Sequence, residues 1–359
     1  MKAERLFFEG FRNLETDEIR PDGGINVIYG ENAQGKTNLL EALWLFSGAR
    51  SFRSAKDASM IMTGREFARL ELDFNAEGRG QTAAITIKNG RSAVLNGVKL
   101  KSPGELAGNF RAVVFSPVHL SLIKDGPAER RRFLDTAICQ LWPKYVAVYG
   151  EYMRAVTQRN AVLKDARFHT QLYDMLDVYD CEIAKKGARI VAYRERYVEL
   201  IKQHATEIYE GIARGKESFS LCYQTVKSAS DPNALLEALK TARGSDISVG
   251  STSVGPHRDD LEIYVSKMSA RQFASQGQQR SAVLALKLAE AAVLKEISGE
   301  QPVALLDDVM SELDEFRQDY ILNHIRDWQV FITCCDRSTV SMMKSGAAFH
   351  ISGGKVQKE

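Results

Sequence analysis

Eight consecutive residues constrain this chain more than any other feature. Gly30-Glu31-Asn32-Ala33-Gln34-Gly35-Lys36-Thr37 fits the pattern G-x4-G-K-[S/T] and runs on into Asn38. It stands between an apolar strand-like run, residues 25–29, and a leucine-rich helical stretch, residues 38–46, which is the context the pattern requires. Each position has a chemical reason. The glycines let successive backbone N–H groups curl around phosphate oxygens, and the helix start adds its partial positive charge. Lys36 reaches the β and γ phosphates, and the Thr37 hydroxyl ligates Mg2+. Residues 30–38 are therefore the candidate nucleotide loop.

Such a site needs a second strand that ends in acid, to hold the metal and to activate water. Val303-Ala304-Leu305-Leu306-Asp307-Asp308 supplies one. Asp307 would hold Mg2+ through water, and Asp308, with Lys36 the candidate catalytic pair, would orient or deprotonate the attacking water. Upstream, Ser275-Gln276-Gly277-Gln278-Gln279-Arg280 is a polar, glycine-bearing turn that opens a long amphipathic helix. A serine hydroxyl and free helix N–H groups make a second anion site there, although alone the segment also reads as an ordinary capped helix. Ser311-Glu312-Leu313-Asp314 follows the acid strand.

Around these motifs the first third of the chain alternates short strands and turns, expected at residues 5–8, 25–29, 68–74, 82–88, 92–95 and 112–115. Asn96-Gly97 after the fifth of these is a hairpin signal. From residue 128 to about 213 the apolar period changes from two to 3.6, broken near Pro143 and near residues 165–170 into at least three helices. The last, with Ile183, Val191, Val198, Ile201, Ala205, Ile208 and Ile212 on one face, would run roughly 30 residues, or about 45 Å. Strands are expected again at 219–226 and 261–265, around a polar stretch, 243–253, that reads as a mobile loop. A helix at 279–297, strands at 302–306 and 329–333, and a terminal hairpin around Gly353-Gly354 complete the pattern. The expected architecture is α/β, with a head of mixed and antiparallel sheets from residues 1–120 and 250–359 and an inserted, mainly helical lobe from 121–249.

Composition narrows the function by exclusion. Lys plus Arg number 48 against 46 Asp plus Glu, so any anion-binding surface must be local. Local clusters occur at Arg50, Arg53 and Lys56, at Arg130, Arg131 and Arg132, and at Lys185, Lys186 and Arg189; solvated helix faces explain each equally well. No stretch has the roughly 18 uncharged apolar residues of a membrane helix, and the first residues lack a signal pattern, so a cytoplasmic protein without a membrane partner is expected. The five cysteines, Cys139, Cys181, Cys222, Cys334 and Cys335, show no ligand spacing and read as reduced core thiols.

The order of phosphate loop, serine-glycine helix start, acid strand and Ser311–Asp314 resembles the ABC-type ATPases. Leu6-Phe7-Phe8-Glu9-Gly10-Phe11-Arg12-Asn13-Leu14 is similar to the opening of the DNA-repair branch that includes the RecF and SMC families. Ser51-Phe52-Arg53, Arg130-Arg131-Arg132-Phe133-Leu134-Asp135 and Gly255-Pro256-His257-Arg258-Asp259-Asp260 narrow the resemblance to the RecF family over essentially the whole chain. That resemblance implies ATP and Mg2+ as cofactors and a homodimer in which Ser275 and Gly277 of one subunit, within the run Ser275, Gln276, Gly277, Gln278, meet the γ-phosphate of the other. It also implies double-stranded and gapped DNA as ligand, RecR as mediator partner, and a nucleoid-associated role in loading the strand-exchange protein. Arg53, Lys56, Arg130 and Arg131 are the candidate DNA contacts; Gly255 to Asp260 is expected to be structural or interfacial.

Departures from the broader ABC pattern point to slow turnover. Asp308 stands where a glutamate is usual, Thr333 where a switch histidine would be, and Ser116-Pro117-Val118-His119 where a glutamine loop is expected. A transporter's nucleotide-binding subunit is the alternative from another class, and a clamp that binds ATP without hydrolysis is a third.

Overall fold

The computed structural model describes residues 1–53, 55–166, 168–335 and 346–358. The strands are β1 (Lys2–Phe11), β2 (Leu14–Ile19), β3 (Ile25–Tyr29), β4 (Ala68–Ala76), β5 (Arg79–Ile87), β6 (Arg91–Leu95), β7 (Val98–Lys99), β8 (Ala112–Phe115), β9 (Phe219–Gln224), β10 (Asp260–Val265), β11 (Met268–Ser269), β12 (Val303–Asp307), β13 (Val330–Cys334), β14 (Ala347–Ser352) and β15 (Lys355–Lys358). The helices are α1 (Lys36–Leu45), α2 (Ser121–Lys124), α3 (Pro127–Leu141), α4 (Lys144–Ala166), α5 (Tyr173–Ile212), α6 (Pro232–Val249), α7 (Ala270–Phe273), α8 (Gln276–Ser298) and α9 (Glu315–His324). The chain divides into two compact units, one of Met1–Leu120, Gly211–Arg214 and Val283–Glu359, the other of Ser121–Glu210 and Gly215–Ala282.

In the first unit, the antiparallel sheet β2-β1-β4-β5-β6-β7 and the mainly parallel sheet β15-β14-β3-β13-β12-β8 share one core. The strand β4 alternates buried and partly exposed residues, as a one-faced sheet requires, whereas β8 and β12 are buried throughout, as parallel central strands are. Between the sheets lies α1, whose residues from Leu39 to Leu45 are all buried. A helix that is apolar on every side is a buried one. Its one charged core residue, Glu41, is fully buried and accepts two bonds from Arg12, at 2.9 and 2.8 Å, and one from the Ser51 hydroxyl. The expected hairpin is present, with Asn96 (φ 49°) and Gly97 (φ 80°) joining β6 to β7 in a doubly left-handed turn.

The second unit holds the helices from α2 to α7, apart from the last residues of α5, and the antiparallel sheet β11-β10-β9. Because the strand at 260–265 pairs with β9, this unit extends well past residue 249. The helix α5 has 40 residues, starting at Tyr173. It is therefore about 60 Å long, not the 45 Å expected from its apolar stripe alone.

The stretch 243–253 is not the loop expected from its glycine and serine content. It is mostly the end of α6, capped by the Asp231 carboxylate, started by Pro232 and stopped by left-handed Gly250. Gly244 and Ser245 face solvent, while Asp246 turns inward to accept a bond from Arg159 at 2.7 Å. The Asp-Pro start and glycine stop were the legible signal.

Residues 255–260 form the polar centre of this unit. Arg194, 1% exposed, donates to Asp135 at 2.9 and 3.0 Å and to the Pro256 carbonyl at 2.6 Å. The Tyr223 hydroxyl donates to Asp259 at 2.5 Å, and the Tyr152 hydroxyl meets His257 Nδ1 at 2.6 Å. Burial pulls the His257 pKa down to about 4, so its ring is neutral at physiological pH.

Removing one member of a buried ion pair strands the other. The Arg194→Met variant should lose about 3–5 kcal/mol in urea unfolding, and Arg194→Met/Asp135→Leu should recover more than half of that loss.

Candidate nucleotide-binding site

The loop leaves the end of β3 and reaches α1 through three left-handed residues, Gly30 (φ 150°), Ala33 (φ 65°) and Gly35 (φ 120°). Two of the glycines are sterically required. A Cβ on Gly30 would lie 2.3 Å from the Ile351 carbonyl oxygen, and Gly35, at φ 120°, holds a backbone angle that residues with a Cβ rarely adopt. Lys36 Nζ points back into the loop, donating to the carbonyls of Gly30 at 2.6 Å and Glu31 at 2.9 Å. An ammonium held by loop carbonyls at this point is placed to meet a phosphate oxygen by a small rotation of its side chain.

Parallel pairing carries the acid strand to the same place. The strand β13 lies between β3 and β12, with Asp307 opposite Thr333 and Cys334 opposite Tyr29. At the carboxyl ends of these strands, where open α/β sheets bind ligands, the Thr37 hydroxyl donates to Asp307 Oδ1 at 2.7 Å. The Thr333 hydroxyl donates to the same oxygen at 3.1 Å, and Ser116 Oγ lies 3.4 Å from Oδ2. Burial raises the Asp307 carboxyl above the ordinary range, and the hydroxyl bonds from Thr37, Thr333 and Ser116 oppose that rise.

Asp308, the next residue, is exposed and left-handed (φ 50°), which turns its carboxylate away from the strand. Its N–H donates to Thr333 Oγ1 at 2.9 Å, and its Oδ1 accepts from Ser311 at 2.9 Å. Thr333, met in the sequence only as the place of a missing histidine, is the hydroxyl that joins the two acids. Ser116 and Asn13 were likewise not read as part of the site; only strand pairing and the turn after β1 bring them there.

The oxygen donors fit a hard divalent cation: a threonine hydroxyl beside a carboxylate. Among the described residues no group of three His, Cys, Asp or Glu side chains could hold a metal by itself. A metal here would need the nucleotide's own oxygens.

The second anion element lies in the other unit. Ser275 Oγ accepts from the Gln278 N–H at 3.3 Å, and Gln278 Oε1 accepts from the Ser275 N–H at 2.8 Å, a reciprocal capping box that starts α8 three residues before the expected position. Ser275 and Gln276 are exposed, and Gly277 is half-buried.

The candidate DNA contacts fare unequally. Arg130 is a correction: it is 4% exposed, grips Asp260 at 2.7 and 2.8 Å, and donates to the carbonyls of Leu122 and Asp125. It is a structural arginine, with no face left for a phosphate. Arg131 is half-buried and donates to the Asp259 carbonyl at 2.7 Å. Arg53 and Lys56 are exposed, and Arg53 donates to Asn38 Oδ1 at 2.8 Å, which places it beside the start of α1.

The chain matches the RecF/RecN/SMC N-terminal domain family over residues 2–356. It is 36% identical to the DNA replication and repair protein RecF of Acetivibrio thermocellus, over 98% of both chains. It is 37% identical to that of Caldanaerobacter subterraneus subsp. tengcongensis over the whole of both. The solved structure of the recombination mediator protein RecF with ATP, in the RecFOR pathway, superposes with a TM-score of 0.93 at 36% identity, covering 99% of this chain and 97% of that one. An SMC head domain from Pyrococcus furiosus, at 17% identity and a TM-score of 0.55, shares the fold.

Because burial raises the Asp307 pKa on folding, its ionisation destabilises the folded state as pH rises through that raised value. Asp307→Asn should therefore unfold at higher temperature than the parent at pH 8, with the gap closing below about pH 4, where both states hold the proton in the parent. Calorimetry at several pH values measures the gap.

Proposed function

The chain belongs to the RecF/RecN/SMC family and aligns end to end with its RecF members, and on that premise we propose that it is an ATP-dependent DNA-binding protein of recombinational repair. In this reading ATP joins two copies into a dimer that clamps double-stranded DNA near single-strand gaps and, with RecR, promotes loading of the strand-exchange recombinase in the cytoplasm. The observation that carries it is the 2.7 Å bond between Thr37 and Asp307, which sets a phosphate loop and an acid strand at one point. The likeness to a RecF structure with ATP, in a pathway named for RecF, RecO and RecR, supports the ligand and the partner. No helix among the described residues is long and apolar enough to cross a membrane.

Each residue then has a task. The backbone of residues 30–35 and Lys36 would hold the β and γ phosphates; Thr37 and Asp307 would hold Mg2+, which would supply charge neutralisation at the transferred group. Asp308 orients water and receives its proton. Ser275 and Gly277 offer the capped start of the 23-residue helix α8 to the γ-phosphate of the other copy.

Turnover should be slow, for two physical reasons. The base is an aspartate, one methylene shorter than the usual glutamate, and its carboxylate is tied to Ser311 at 2.9 Å. The neighbouring strand β13 carries Thr333 opposite Asp307, and this residue orients the acids and has no titratable group for the leaving phosphate. Such an enzyme acts as a timer. The transporter reading is disfavoured by the roughly 240 positions between Lys36 and Ser275 and by the full-length match to RecF proteins.

Fluorescence anisotropy of a labelled gapped duplex tests the proposal. Binding should require ATP with Mg2+, weaken steeply with salt as phosphate contacts do, and be lost in Lys36→Ala and Ser275→Arg. Equal binding without ATP overturns the switch. Asp308→Asn should abolish phosphate release while keeping ATP-dependent DNA binding; equal release in parent and variant removes Asp308 as the base, and no release above background in the parent leaves a clamp that does not hydrolyse.

A further inference from the structure

The tip of the nucleotide loop is held from two sides by parts of the chain that carry no phosphate-binding motif. On one side the Asn13 amide, from the turn between β1 and β2, donates to the Ala33 carbonyl at 2.9 Å. On the other, Gln34 Oε1 accepts from the N–H of Gly353 at 2.7 Å, in the turn between β14 and β15. The two holders also grip each other. Glu15 N–H donates to the Gly354 carbonyl at 3.1 Å, and a Cβ on Gly354 (φ 77°) would fall 2.0 Å from the Asn13 carbonyl oxygen. The hairpin is seated further by Val356 N–H on Asp17 at 3.2 Å and by the approach of Ile351 to Gly30.

From this junction we infer that the C-terminal hairpin is a working part of the nucleotide site, and that Gln34 and Gly354 are positioning residues which set nucleotide affinity by fixing the backbone of the loop before ligand arrives. Preorganisation is the physical basis. A loop with three left-handed residues in six has many shapes available, and fixing it when the nucleotide binds would subtract from affinity. Ala33 and Gln34, next to each other at the tip, are the residues the two bonds fix. The Gln34 side chain is spent on the hairpin, so it acts on the phosphates only through the backbone it holds. Asn13 extends the brace: its Oδ1 accepts from the Asn38 amide at 2.6 Å, tying the same turn to the first turn of α1.

The inference rests on the ATP-site reading, and hydrogen exchange separates the two. In full-length protein without nucleotide, amide exchange of residues 30–37 should be faster in Gln34→Leu and Gly354→Ala than in the parent, whether or not ATP proves to be the ligand. Titration with a fluorescent ATP analogue should then show affinity falling roughly three- to tenfold in each variant, the scale of one hydrogen bond. The KM for ATP should rise by more than kcat falls, and Gln34→Glu, which keeps the acceptor but adds a charge that repels phosphate, should restore the slow exchange of the loop in the nucleotide-free protein. In the double variant the losses should not add, because one junction is broken twice. Unaltered exchange in the loop of both folded variants overturns the latch. So does a Gln34→Glu variant whose loop exchanges as fast as that of Gln34→Leu. A parent protein that binds no more ATP than Lys36→Ala would sink the ATP reading instead, leaving the exchange result to decide the latch.

Discussion

A helix that is apolar on every side can sit only where every side is covered, and α1 meets that demand by lying between two six-stranded sheets. The burial of Leu39, Leu40 and Leu43 alone is worth about 2 kcal/mol each, enough to fix the helix axis against the strands on both sides. What is fixed with it is the loop at its start. Gly35 caps α1, and Lys36 and Thr37 are its first residues. The position of the phosphate-binding groups is thus a by-product of hydrophobic packing. The one polar residue in that helix core, Glu41, is neutralised by Arg12 from the turn after β1, so the same packing that sets the helix also sets the Asn13 turn beside the loop.

The site is built against stability where its chemistry lies. Asp307 is buried where its charge is disfavoured, and the three hydroxyls around it make up only part of the lost hydration. Asp308 takes a left-handed backbone that costs roughly 1 kcal/mol for a residue with a side chain. Both departures occur at the end of one strand, and both are tied to Thr333. A cation at Thr37 and Asp307 would relieve the first. The strain at Asp308 has a geometric use, since an extended residue there would continue the strand and put its carboxylate on the face of the sheet opposite to that of Asp307.

Local chemistry was legible in the sequence and pairing was not. The loop at residues 30–37, the acid strand and the hairpin at Asn96-Gly97 are written in contiguous residues, and the described strands β3 and β8 fall at the expected positions. Thr333, Ser116 and Asn13 reach the site only because β13 lies between β3 and β12, because β8 pairs with β12, and because a turn folds over Ala33. No spacing encodes those neighbours. The acidic strand β2 was missed because it pairs along an edge with few apolar residues to mark it. The stretch at 243–253 misled for a different reason: glycine and serine on the wet face of a helix carry the same composition as a loop, and only the caps at Asp231 and Gly250 tell them apart.

Arginine illustrates why a basic residue type does not identify a nucleic-acid surface. Arg130 and Arg131 are neighbours in one run, yet the first is committed to Asp260 on both sides of its fork and the second to a carbonyl, with its charge disfavoured by burial. A guanidinium so engaged gains its partner's charge at short range, and releasing it to bind phosphate would leave Asp260 unpaired in a half-buried site. Electrostatic attraction to DNA acts over about 8 Å at physiological salt and needs side chains free to move to the backbone. In the first unit Arg53 and Lys56 keep that freedom in large part, and Arg53 does so while bonded to Asn38, the residue after Thr37. A polyanion that drew Arg53 away would therefore loosen the bond network that runs through Asn38 and Asn13 to the Ala33 carbonyl. Of the four basic residues singled out from the sequence, Arg53 and Lys56 are thus the exposed ones, whereas Arg130 and Arg131 are spent on partners within their own unit.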